Sequence, residues 1–228
     1  MGEYVLKDEE IMKLIRPMLK ECREFSANLC KDNSNLHIEK LTGGSQEYVK
    51  SSEPKCDKGK FTGDIHTHCD EKGISDVDIF QEVQWNLNKE RPTPRLSCVT
   101  YPMYNKKDKL FKLGMECDCI KNFGEKEILD IPTPVYVKGK RVKRKEDEIK
   151  FFKEGSPKMV GRAGGWAGML QKDLFVADMH NIRNKLQEKG LIKTEQKEVA
   201  KITLKPEDPH NVWLEIEDEI KLKCENAN

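Results

Sequence analysis

The sequence predicts an α/β (α+β) fold in which a mixed β-sheet is flanked by helices. Apolar residues recur at helical spacing over residues 9–23, where Pro17 is expected to kink or split the helix. Apolar and polar residues alternate over 24–30, which is typical of a half-buried strand. Residues 60–65 also favour a strand, and 75–87 combine an N-cap residue with the apolar spacing of a helix.

Further strands are predicted on both sides of that capped helix. A turn at 31–35 precedes a strand at 36–41, and the run at 96–101 is typical of a buried strand. Residues 108–119 have room for one or two more strands. Helices and strands therefore alternate along the first half of the chain, as expected for a mixed sheet with covering helices.

A candidate metal site lies at the end of the strand predicted over 60–65. His66 and His68 are alternate residues, so an extended backbone directs both imidazoles to one face. Asp78 follows a turn marked by Asp70, Lys72 and Gly73, close enough to supply a third ligand. Two histidines and one carboxylate leave a fourth zinc position for water, which is typical of hydrolytic rather than structural zinc sites.

His66-x-His68 followed by Ser75-x-x-Asp78 resembles the motif of the JAMM zinc metalloproteases, also called the JAB/MPN domain. Cys69 stands where that family has proline, and the loop to Ser75 is one residue short. An inert replacement of the proline is the favoured interpretation of Cys69; an extra metal ligand and a redox-sensitive thiol are the alternatives. The resemblance covers about residues 8–137 and is sharpest at 60–80. It implies a JAB/MPN-like mixed sheet and a metalloprotease domain at 1–137.

The resemblance also implies roles for individual residues. In the family a helix precedes a first strand that carries the catalytic glutamate, and Glu24 matches it by element order; Glu39, on the next strand, is the second candidate. The implied reaction is cleavage of a peptide or isopeptide bond, often next to the C-terminus of a ubiquitin-like protein. Zn²⁺ lowers the pKa of its bound water and polarises the carbonyl, Glu24 is the general base, and Ser75 donates to the oxyanion.

Other functions stay open. Asp64-x-His66-x-His68 also fits a fragment of the PHP-type phosphoesterases, but these need several further ligands, and only His180 and His210 remain downstream. Those two histidines are more simply explained as surface or packing residues. A non-catalytic MPN-like scaffold or a DNA-associated protein is the third alternative, although a scaffold has no physical need for an intact ligand set.

The second half predicts a smaller α+β extension at 138–228. The basic run at 138–145 is followed at once by acidic residues, which favours an exposed loop or hairpin. The glycine-rich stretch at 161–168 lacks the phosphate-loop pattern and predicts a turn. A helix at 174–191 leads into two strands, at 199–204 and 212–222. This order resembles a winged helix; the alternative is an extension that packs on the core or covers its cleft.

Composition and charge limit the classes of partner and the location that we expect. The 41 basic and 40 acidic residues nearly cancel, which makes a nucleic-acid partner unlikely on charge grounds and gives no pull towards membranes. There is no membrane-length apolar run and no signal-peptide pattern at the start, so we expect a soluble cytoplasmic protein. The eight cysteines are expected to be reduced, because their spread does not resemble a small secreted framework. Nothing in the sequence indicates an oligomeric state.

Overall fold

A computed structural model describes residues 2–21, 23–45, 49, 53–70, 73–88, 96–105, 110–131, 136–137, 140–141, 145–160, 165–170, 173–205 and 208–224. The helices in these segments are α1 (Asp8–Lys20), α2 (Asp76–Leu87), α3 (Glu125–Leu129), α4 (Lys145–Glu154) and α5 (Met179–Glu188). The strands are β1 (Gly2–Lys7), β2 (Phe25–Asp32), β3 (Asn35–Gly43), β4 (Lys60–Thr67), β5 (Leu96–Asn105), β6 (Leu110–Ile120), β7 (Tyr136–Val137), β8 (Lys140–Arg141), β9 (Ser156–Val160), β10 (Gly165–Leu170), β11 (Asp173–Val176), β12 (Ile192–Lys205), β13 (Asp208–Ile216) and β14 (Glu219–Cys224). The fold is therefore a strand-rich mixture of helices and sheets.

The chain divides into two compact units, each assembled from segments that are separated in the sequence. The first unit comprises Met1–Ile74, Pro94–Ile120 and Thr194–Asn228. The second comprises Ser75–Thr93 and Lys121–Lys193. The division into 1–137 and 138–228 that the sequence indicates stays a prediction.

The first unit is built on a nine-stranded sheet in the order β13-β12-β6-β5-β4-β2-β3-β1-β14. The sheet is mixed, because β4 pairs parallel to β5 and β1 parallel to β3, whereas β2 is antiparallel to both of its neighbours. Helix α1 packs against β1, β2, β3 and β4, and buries Ile11, Leu14 and Ile15 in the core of this unit. The predicted mixed sheet with a flanking helix is confirmed.

The second unit has its own five-stranded sheet, in the order β8-β7-β11-β10-β9. Helix α2 packs against α4 and α5. The rings of Phe80, Phe151 and Phe152 are fully or almost fully buried, and their centroids lie 5.1 to 6.1 Å apart. Aromatic rings at these separations add packing energy to the apolar area that they bury.

Most elements predicted for the first half are confirmed. Helix α1 ends at Lys20 rather than at residue 23, and Pro17 lies inside it, where the carbonyl of Pro17 accepts the N–H of Glu21. Helix α2 begins directly after Ser75, as its cap predicted. These elements depend on patterns within about two helical turns or one strand, which a single sequence displays directly.

Three expectations for the second half are wrong. The helix predicted from residue 174 begins at Met179, because the apolar and aromatic run at 173–176 pairs with β10 as strand β11 and Asp178 supplies the cap. The turn expected at 161–168 is wrong for residues 165–168, which belong to strand β10 (Gly165–Leu170); residues 161–164 lie outside the described residues. The single strand expected at 212–222 is two strands, β13 and β14.

The C-terminal strands continue the large sheet. Strand β12 lies between β6 and β13, and β14 pairs antiparallel with β1 at the other end of the strand order. The hairpin of β12 and β13 therefore does not stand apart as the wing of a winged helix. Within the basic run, Lys140–Arg141 is strand β8, which pairs antiparallel with β7 ahead of the run, and Lys145 begins helix α4; residues 138–139 and 142–144 lie outside the described residues.

The expectation of reduced cysteines is wrong for most of the described ones. Three disulfides occur in the described segments, Cys30–Cys56, Cys98–Cys117 and Cys119–Cys224, and none of them includes Cys69. Cys98 and Cys117 are direct cross-strand neighbours on β5 and β6, and no spacing rule shows that register. No helix in the described segments is long and apolar enough to span a membrane.

A buried carboxylate fastens α1 to the sheet. Glu10 accepts the backbone N–H of Ile38 at 2.7 Å and the ammonium of Lys13 at 2.7 Å, and lies 3.5 Å from the imidazole of His37. Burial alone would raise the pKa of Glu10, but these donors outweigh it and hold the pKa below its ordinary value. The ionised form is therefore favoured by folding.

We expect Glu10→Gln to lower the free energy of unfolding at neutral pH by about 1–2 kcal/mol, because a charged acceptor is lost. The pKa of Glu10 is lowered by folding, so its contribution is complete above the unfolded-state pKa and disappears as the pH falls through the folded-state pKa. Urea unfolding at a series of pH values should show the difference from wild type shrinking in acid. Glu9→Gln, at an exposed position of the same helix, is the control; a difference independent of pH would contradict the assignment.

Candidate metal centre

The two histidines are held in place by the backbone of β4 and its neighbours. Thr67, between them, turns to the other face, where its hydroxyl accepts the N–H of Phe25 at 2.9 Å. The N–H of His68 donates to the carbonyl of Thr100 at 2.8 Å, which continues the β4–β5 pairing past the end of the strand. This extended backbone puts His66 and His68 on one face, as predicted, and both are buried.

The imidazoles converge through the same ring atom. Nε2 of His66 lies 3.1 Å from Nε2 of His68, and the ring centroids are 4.9 Å apart. Two nitrogen ligands of one tetrahedral zinc lie about 3.3 Å apart, given the usual Zn–N distance. The spacing of the two Nε2 atoms is thus close to that of a shared metal ion.

Asp78 is oriented by the residue that caps its helix. The hydroxyl and the backbone N–H of Ser75 both donate to Oδ2 of Asp78, at 2.6 and 2.7 Å. In return the N–H of Asp78 donates to Oγ of Ser75 at 3.4 Å, which completes a capping box at the start of α2. The same three contacts that begin the helix therefore fix the direction of the carboxylate.

The predicted ligands come together. One ligand atom from each of His66, His68 and Asp78 lies within 4.8 Å of the other two. Two imidazole nitrogens and a carboxylate oxygen form a donor set that suits zinc and leaves a coordination position for water. The three residues are therefore a candidate metal-binding triad, and their donor chemistry fits the expected ion.

Asp64 adds a carboxylate beside the first histidine. Its Oδ2 lies 3.9 Å from Nδ1 of His66, the ring nitrogen that faces away from His68. Carboxylates commonly orient metal-ligating histidines through this second nitrogen. The sequence motif does not assign Asp64 to the triad. Its position two residues before His66, on the same face of the strand, is the feature that could have indicated this role.

The two candidate glutamates are in different surroundings. Ser26 on β2 lies opposite His66, and Glu24 comes two residues before Ser26, directly ahead of the strand. Glu39 instead accepts the N–H groups of Asp57 and Lys58, at 2.6 and 3.1 Å. Its carboxylate belongs to a second potential metal-binding group, which is described below.

The remaining histidines behave as surface or packing residues where they are described. His180 is exposed, and its Nε2 lies 3.2 Å from Oδ1 of Asp76. Burial raises the pKa of Asp76, His180 opposes that shift, and Asp178 and Asp78 add to it. His210 is a residue of β13, and its side chain lies outside the described ones. His180 is not part of the triad.

No protein-family model matches the chain, and a search of curated proteins finds no match. A functional assignment therefore depends on the chemistry of the triad and of the residues around it.

We expect Ser75→Ala to weaken zinc binding by about 10–100-fold, because the orienting donor to Asp78 is lost. The variant should also lose about 1 kcal/mol of stability with the helix cap. Competition with a chelating dye would measure the affinity, and thermal unfolding the stability.

Asp178→Ala is the matched control, since Asp178 caps α5 in the same unit by accepting the N–H of Asn181. It should lose similar stability and keep its zinc affinity, and Ser75→Thr should restore binding. Equal weakening of zinc binding in both alanine variants would show that helix stability, not carboxylate orientation, controls the site.

Proposed function

We propose that this protein is a zinc-dependent hydrolase that cleaves a peptide or isopeptide bond, of the JAMM type that its motif resembles. The observation that carries the proposal is the convergence of His66, His68 and Asp78. These three ligands leave room for water and substrate, whereas structural zinc sites are closed by four protein ligands. A bound zinc would supply a water of lowered pKa and polarise the scissile carbonyl.

Glu24 is the proposed general base. Two observations support this role: Glu24 lies two residues before Ser26, the β2 residue opposite His66, and it is half-buried. Its backbone is held by residues 44 and 45, because its N–H donates to the carbonyl of Ser45 and its carbonyl accepts the N–H of Gly44. In the proposed reaction Glu24 takes a proton from the attacking water and delivers it to the departing amine.

Ser75 has two proposed roles. Its single hydroxyl proton is donated to Asp78, which supports a role in orienting that ligand. Donation to the developing oxyanion, the role that the resemblance implies, requires the hydroxyl to rotate away from Asp78. The backbone N–H of Ser75, which also donates to Asp78, can hold the carboxylate when this happens.

A JAB/MPN-like fold is part of the proposal. A helix, two antiparallel strands, the strand of the histidine pair, a capped helix and two further strands follow one another, which is the order implied by the resemblance. The substrate class, a protein or peptide that includes ubiquitin-like conjugates, is proposed from the motif alone. A cytoplasmic location fits the three disulfides only in organisms whose cytoplasm sustains them.

The metal content of the purified chain tests the centre of the proposal. We expect about one zinc per chain by elemental analysis of the chain purified without reductant, so that Cys30 and Cys56 stay in their disulfide; this is the capacity of a single triad of this kind. The double substitution His66→Ala/His68→Ala should abolish it, whereas His180→Ala, at an exposed histidine outside the triad, should not. Two or three metals per chain at the histidine site would favour the phosphoesterase alternative, and zinc retained by the double variant would exclude the triad.

The general base is tested by Glu24→Gln, which keeps the size of the side chain and removes its basicity. We expect hydrolysis to fall by about 100-fold to 10,000-fold while zinc content is unchanged. Ubiquitin-like fusions and isopeptide-linked conjugates are the substrates to screen. Glu9→Gln is the background control, and loss of hydrolysis in Glu39→Gln but not in Glu24→Gln would show that the base is wrongly assigned.

A further inference from the structure

A second cluster of metal-ligating atoms lies on β2 and β3. One ligand atom from each of Cys30, Glu39 and Cys56 lies within 4.8 Å of the other two. Cys30 is fully buried on β2, Glu39 comes from β3, and Cys56 belongs to residues 53–59, a segment that we call the strap. In the structure the two sulfurs form a disulfide, and the Cα atoms are 5.8 Å apart.

The strap is fastened to the sheet by contacts other than the disulfide. The amide of Asn28 on β2 donates to the carbonyls of Glu53 and Lys55, at 2.7 and 3.0 Å. Lys40 on β3 binds the carboxylate of Asp57 at 2.6 Å. Cys56 lies between these anchors, so reduction of the disulfide leaves its sulfur beside that of Cys30.

The end of the strap is also constrained. Gly59 has a φ of +74°, and a Cβ at this position would lie 2.4 Å from the carbonyl oxygen of Lys31. Only glycine fits this close turn without displacing the backbone. The path of the strap is thus determined at both sides of Cys56, independently of the sulfur–sulfur bond.

The position of the Glu39 carboxylate beside the two sulfurs indicates a metal-binding site and not only a disulfide. Its two carboxylate oxygens are each held by a strap N–H, from Asp57 and from Lys58. A disulfide makes no use of a carboxylate next to its sulfurs, whereas a divalent ion does. Carboxylates that bind metals are typically hydrogen-bonded by outer groups in this way.

We propose that Cys30, Cys56 and Glu39 form a second divalent-metal site, which binds zinc when the cysteine pair is reduced. Two thiolates and one carboxylate are a zinc donor set, with water as the fourth ligand. The site is separate from the histidine triad and does not depend on the function proposed for it. Its occupancy would replace the disulfide as the link between the strap and β2.

A water-soluble phosphine is the reductant that opens the Cys30–Cys56 disulfide before the metal binds. The phosphine cleaves the sulfur–sulfur bond and becomes a phosphine oxide with oxygen from water, and the two sulfurs become thiols. Each thiol loses one proton when the metal binds, so binding releases two protons. Cys56 is only partly buried, which gives the reductant a route to the bond.

Titration of the phosphine-reduced full chain with Co²⁺ under anaerobic conditions tests the proposal. Thiolate ligands give Co²⁺ an intense near-ultraviolet charge-transfer band, which imidazole and carboxylate ligands do not give. We expect the band in the reduced wild type and not in the oxidised chain. Glu39→Gln should keep both cysteines and lower the Co²⁺ affinity by about tenfold or more.

Variants show whether the charge-transfer band comes from this site, from another cysteine pair or from the histidine triad. Cys56→Ser should remove the band, whereas Cys119→Ser/Cys224→Ser, which opens a different disulfide, should retain it. His66→Ala/His68→Ala should also retain it, so the two metal sites fail or succeed independently. A reduced wild type without the band, a band that survives Cys56→Ser, or an affinity unchanged by Glu39→Gln would overturn the proposal.

Discussion

The register between β2 and β4 is the constraint on which the first unit depends. Ala27 lies opposite Ile65, and these apolar residues face the core that α1 covers. Ser26 lies opposite His66 on the other face. Because side chains alternate along a strand, a slip of one residue would turn the histidine towards α1 and the apolar residues towards the polar face. The apolar face therefore determines where the ligands point.

The face of the nine-stranded sheet that is turned away from α1 is unusual, because it carries many polar side chains that are nevertheless buried. Its buried polar residues are Ser26, Asn28, Asp64, His66, Ser97, Glu116 and Asp118. Partners on β12 stabilise the two carboxylates, since Thr194 donates to Asp118 and Gln196 donates to Glu116. A Cβ at Gly73 would lie 2.1 Å from the Glu116 carboxylate, so a larger residue at this position would require the Glu116 side chain to move. Buried polar groups are costly unless paired, and such a face is more consistent with a site than with packing alone.

Local patterns allowed the triad to be predicted, and long-range register explains what was missed. His66 and His68 could be assigned from alternation, and Ser75 with Asp78 from a cap that spans three residues. The pairing of Cys119 with Cys224 spans 105 residues and depends on strands that meet only in the folded sheet. Strand β11 was mistaken for helix because its residues gain their pairing from β10, a contact that periodicity does not display.

The rows of residues across β3, β2 and β4 separate the two glutamates for which we propose different roles. Asn28 pairs with both Glu39 and Asp64, so Glu39 lies in the row of Asp64, on the side of the strap. Ser26 and His66 form the next row, and Glu24 lies two residues before Ser26. Two residues of extended chain span about 6.6 Å, so Glu24 lies about 13 Å along the chain from Asn28, which is in the row of Glu39. Glu39 therefore lies beside the strap, whose N–H groups hold its carboxylate, and Glu24 lies towards the histidine end of β2.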